Sequence, residues 1–137
     1  MNISVSQKQG RVSVTVIGLD GRLDGQNYQE LISKGQELFN SGVRDVLLDL
    51  TDLSYISSAG MVAFHNVALL MRGETPPNPE QGWSAYRSMG QSSNKSGTQE
   101  HFKLFNPQTE VNHILDMVGF NTIFDIYTDI DEAVNSY

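Results

Sequence analysis

The chain has no cysteine, which removes disulfides and thiolate chemistry and fits a reducing compartment. Proline is scarce as well: of four residues, Pro76, Pro77 and Pro79 crowd into one short segment. Basic residues are outnumbered, nine Lys and Arg against sixteen Asp and Glu. The resulting net charge of −7 disfavours nonspecific attraction to nucleic acid or anionic lipid. The acidic residues are scattered rather than blocked, as on a solvated surface. No apolar run approaches the roughly 20 residues that span a bilayer. Met1-Asn2-Ile3-Ser4-Val5-Ser6 has neither the basic region nor the apolar core of a secretory signal. The expectation is a cytoplasmic protein with no membrane or nucleic-acid partner. His65, His101 and His113 lack metal-ligand spacing, and no Walker or dinucleotide fingerprint is present, so no metal, cofactor or catalytic residue is expected.

What is there suits a single domain over 1–137, long enough to bury roughly two-thirds of its unfolded surface. Ile3 and Val5, then Val12, Val14 and Val16, alternate with polar residues around Gln9-Gly10, which predicts a hairpin. Gly18 to Gly25 reads as a polar turn. Leu31, Ile32, Leu38 and Phe39 recur at helical spacing between Asn27 and Ser41, with Gly42 as the stop. Val43 to Leu50 is short, apolar and β-rich, the pattern of a buried central strand. A nearly all-apolar helix follows from about Ala59 to Arg72. Glu74 to Glu100 contains no Ile, Leu or Val and reads as a flexible insertion carrying Trp83, Tyr86 and Met89. Beyond it come a strand at 101–105, a helix from Pro107 to Val118, a strand at 122–127 and a terminal helix at 128–136. Strands alternating with helices imply an α/β fold: a mixed, mostly parallel β-sheet packed against α-helices, with an antiparallel N-terminal hairpin strand.

The run Ile56-Ser57-Ser58-Ala59-Gly60-Met61 places two hydroxyls where the central strand turns into the apolar helix. Either serine suits the N-cap, worth roughly 1 kcal/mol. At 100° per residue Ala63, Phe64, Val67, Ala68, Leu70 and Met71 form the core face. Ser58 then heads a second line with Val62, His65, Leu69 and Arg72, bordered by Asn66, on the side expected to be wet. A phosphate on Ser58 would gain from the helix dipole yet be costly to desolvate in an apolar interface, which is what a switch requires. A third reading makes Ser58 the nucleophile of a strand–turn–helix elbow; Gly60 fits that motif and Ile56 does not.

These residues resemble the STAS family, the domain of bacterial anti-sigma-factor antagonists and sulfate-transporter tails. The family pattern there is an aspartate, two small hydroxylated residues and a glycine before an apolar helix; here it reads Ser57-Ser58-Ala59-Gly60-Met61, after Leu48-Asp49-Leu50 and Leu53-Ser54-Tyr55-Ile56. Gly21-Arg22-Leu23-Asp24 is similar to the family's turn before the first helix, and Met117-Val118-Gly119-Phe120 to its turn near the C-terminus. Ser57 stands at the usual aspartate position. The resemblance implies a non-enzymatic anti-anti-sigma factor of partner-switching transcription control. Its partners would be an anti-sigma factor that is a serine kinase of the histidine-kinase-like ATPase type, and a PP2C-type phosphatase. Phosphorylation would fall on Ser58. The expected partner surface comprises Asp24, Ser57, Ser58, Val62, His65, Asn66 and Leu69. A STAS scaffold or small-ligand sensor without phosphorylation is the alternative, and a small serine hydrolase a distant one.

Overall fold

The structure, a computed structural model, describes residues 1–74 and 100–137. The body of the expected insertion, with Trp83, Tyr86 and Met89, lies outside the described residues. The elements are β1 (Asn2–Gln9), β2 (Ser13–Leu23), α1 (Tyr28–Asn40), β3 (Val46–Ile56), α2 (Ser58–Met71), β4 (Phe102–Phe105), α3 (Thr109–Met117), a 3-10 turn (Phe120–Thr122), β5 (Ile126–Tyr127) and α4 (Ile130–Asn135). The sheet runs β1-β2-β3-β4-β5, with β1 antiparallel to β2 and every other neighbour parallel. This is the mixed α/β architecture that the alternation of patterns implies.

Period-two alternation sends successive residues of each inner strand to opposite faces. Ile17, Leu19, Leu48 and Leu50 join Leu31, Phe64, Val67, Val111 and Leu115 in the main core, beneath α1, α2 and α3. Val14, Val16 and Leu47 point the other way and pack with Ala133 and Val134 of α4. Lys103 ties that smaller layer down. Its Nζ, on a residue 5% exposed, donates to Ser136 O at 3.0 Å and Ser136 Oγ at 2.9 Å. The Tyr137 hydroxyl donates to Val46 O at 2.6 Å, and burial pushes this phenol's pKa up.

Three elements differ from the sequence reading. The expected turn at Gly18–Gly25 is mostly strand: β2 continues to Leu23, because Leu19 and Leu23 both reach the core. Gly21, at φ 113°, absorbs the register shifts of that stretch in a conformation other residues avoid. β3 starts at Val46 and runs past Leu50 to Ile56, with Leu53 and Ile56 buried. The strand expected over 122–127 shrinks to Ile126–Tyr127. Phe120 and Phe124 are four residues apart and both buried, with ring centroids 5.1 Å apart, so the chain coils before it extends.

Candidate functional site

Parallel pairing ends β2 and β3 side by side, with Leu23 opposite Ile56. The Ser57 amide donates to Leu23 O at 2.9 Å and extends the ladder by one step. There the chain turns into α2. Ser57 is the N-cap, in extended conformation, and its Oγ accepts from the Gly60 amide at 3.3 Å. Gly60 permits the tight turn: a Cβ there would lie 2.7 Å from Ile56 Cγ1 and 3.0 Å from Leu23 Cδ2. The two serines therefore divide their labour. Ser57 is half-buried and engaged, whereas Ser58 is the first residue of α2 and exposed, with no hydrogen bond from its hydroxyl among the described residues.

Asp24 follows Leu23 directly and so flanks the serine turn. Its carboxylate accepts from the Gln26 amide at 3.0 Å, and its carbonyl from the Tyr28 amide at 2.9 Å. Asn27 straps this turn, accepting from the Asp24 amide and donating to Arg22 O at 2.7 Å. The fold thus brings Asp24, Ser57 and Ser58 together. It adds residues that the sequence reading does not single out. Arg22 lies opposite Tyr55, its guanidinium 4.3 Å from the ring centroid, and the Ser54 hydroxyl donates to Gly21 O at 2.9 Å. Only the strand register reveals that pairing.

The line expected to be wet along α2 is buried instead. Val62 is 3% exposed, His65 1%, Asn66 5% and Leu69 0%. Val62 and Leu69 pack under Tyr28, the first residue of α1. His65 meets Phe120 and Phe124 edge to face, with centroids 6.3 and 6.4 Å away. Burial, reinforced by the Arg72 charge, pushes its pKa down to about 4 and keeps the imidazole neutral near pH 7. Seven residues separate it from Ser58, roughly 10 Å along the helix axis, which is beyond a nucleophile–base hydrogen bond.

Residues 5–72 match the model of the STAS domain. The chain carries a STAS domain. Its fold also matches solved structures of low sequence identity. An anti-sigma factor antagonist from Mycobacterium paratuberculosis is 12% identical with a TM-score of 0.63, over 98% of this chain and 93% of that one. A protein from Thermotoga maritima described as an anti-sigma factor antagonist is 21% identical with a TM-score of 0.61, over 88% of this chain and 83% of its own. The phosphorylated form of SpoIIAA, a Bacillus cell fate determinant, is 15% identical with a TM-score of 0.55, over 98% and 97%. No curated protein matches the sequence. Among the described residues, no helix of this STAS domain is long and apolar enough to cross a membrane.

Proposed function

We propose that this STAS domain is an anti-anti-sigma factor. It binds an anti-sigma factor that is a serine kinase, and phosphorylation of Ser58 by that kinase ends the binding. A PP2C-type phosphatase restores the free hydroxyl. The supporting observation is the division between the two serines: Ser57 is committed to the cap, and Ser58 presents an exposed hydroxyl on the first residue of α2. No side chain of the domain need act as a catalyst, since the transferred phosphoryl group comes from ATP held by the kinase. A phosphate on Ser58 sits at the positive end of the α2 dipole, so the fold tolerates it. At a docked surface the same group adds roughly −1.5 to −2 charge and must be desolvated, so it disfavours binding.

The burial of α2 moves the contact surface toward the strand tips. Docking is through Asp24, Ser57, Ser58 and their exposed neighbours, with Val62, His65, Asn66 and Leu69 supporting that surface from within. Incubation with the kinase and ATP, followed by mass spectrometry, is expected to place one phosphate on Ser58 and none on Ser57. Ser58→Glu is expected to weaken kinase binding at least tenfold, about 1.4 kcal/mol or more. Unmodified Ser58 together with undiminished binding by Ser58→Glu would overturn this reading in favour of a scaffold or small-ligand module. Ser57 in place of the family's aspartate is the observation that favours that second reading.

A further inference from the structure

β1 is the open edge of the sheet. Its inner side pairs with β2 without a register break from Asn2 to Gln9, and no strand among the described residues pairs with its outer side. Sheets commonly blunt such an edge with a proline, a bulge, inward charge or short length. β1 has eight residues, no proline and no bulge, and its one charged side chain is Lys8 near the end. All of its residues are exposed except Ile3, which packs against the main core. Val5 is 42% exposed.

Beside this edge, on the sheet face carrying Asn2 and Ser4, lies a shallow concavity of about 210 Å³. It is lined by Asn2, Ser4, Gly18, Asp20, Asp49 and Asp52, among others. Asp49 accepts from the Thr51 amide and hydroxyl, while Asp20 and Asp52 form no ion pair among the described residues. Lys8 is likewise outside every described ion pair.

We propose that the partner for this edge is β1 of a second copy, paired antiparallel about a two-fold axis at Val5. In that register Val5 faces its own counterpart, Ser4 faces Ser6, Ile3 faces Gln7 and Asn2 faces Lys8. Odd residues stay with odd, so the pleat of both sheets continues and Val5 gains a β-branched cross-strand neighbour. No like charges oppose each other. Asp20 pairs with Asn2 inside each copy, so the row across the joined sheets reads Asp20, Asn2, partner Lys8. Two strand spacings separate the ends of that row, about 10 Å between Cα atoms, which the four-carbon stem of lysine can bridge toward the carboxylate. Each copy thereby contributes its lysine to the other's acidic concavity. A seven-residue ladder, Asn2 to Lys8 on each copy, is a small interface, so the dimer is weak, with a dissociation constant of roughly 10–100 μM.

The absence of native cysteine makes the register directly measurable. Sedimentation of the full chain is expected to show a monomer–dimer equilibrium over that concentration range. Lys8→Glu is expected to weaken it by about tenfold, as two ion pairs become repulsions. Val5→Cys is expected to cross-link into a covalent dimer under mild oxidation. Lys8→Cys places the two sulfurs roughly 20 Å apart and is expected to stay uncross-linked. A monomer up to about 500 μM, five times the weakest expected constant, overturns the proposal. So does a dimer indifferent to Lys8→Glu, or cross-linking at position 8 as fast as at position 5.

Discussion

α1 and α2 lie together on one face of the sheet and are almost equal in length, 13 and 14 residues, yet they are used in opposite ways. α1 buries Leu31 and Gly35 and leaves its outer face to solvent. α2 is buried at every position from Gly60 to Met71. The close approach that joins them is visible at Gly35, where a Cβ would lie 2.8 Å from Val67 Cγ2. A helix enclosed in this way has no flank to offer a partner. Only its first turn, at the tips of β2 and β3, meets solvent, and that turn holds Ser58. The docking proposed above therefore uses the end of the helix rather than its side.

The contrast can be broken at three levels. The largest effect is expected from truncation in the enclosed helix. Phe64→Ala should cost about 4 kcal/mol in chemical denaturation, whereas Glu37→Ala on the outer face of α1 should stay within about 0.5 kcal/mol. Comparable losses from both would mean that α2 is not the core helix described here. The second effect is a pH dependence. His65 is neutral in the fold with a pKa near 4, against 6.5 when unfolded. Its contribution to stability is complete above pH 6.5 and is lost as pH falls toward 4, by up to about 3 kcal/mol. His65→Leu is expected to flatten this part of the stability–pH curve, as read from urea midpoints across pH 4 to 7. The smallest effect separates the serines. Ser57→Ala removes the cap and should cost about 1 kcal/mol, while Ser58→Ala should change stability by less than about 0.5 kcal/mol. Equal costs would show that Ser58 is structural as well.

Much of the fold is legible in the chain itself. Alternation in Val12, Val14 and Val16, helical spacing from Leu31 to Phe39 and the apolar run ending at Leu50 fix the element order. Strand ends are harder to read, because Leu23, Leu53 and Ile56 earn burial only through parallel pairing across Gly21. Ser57, Ser58 and Asp24 stand out as polar residues at turns and are brought together as expected. The misreading of Val62, His65, Asn66 and Leu69 has one cause: an angular count assigns every helix a wet side. Composition held the correcting signal, since a helix apolar nearly all round is an enclosed one. Arg22 over Tyr55 carries no local signal, for it arises from a register set 33 residues apart.

The sheet has one more property, which concerns how the molecule is made. Spatial order equals chain order from β1 to β5. During synthesis the β1–β2 hairpin can form first, from contacts close in sequence. Each later strand then emerges to find its neighbour already in place. No strand has to wait for a later one, so vectorial release from the ribosome and growth of the sheet proceed in the same direction.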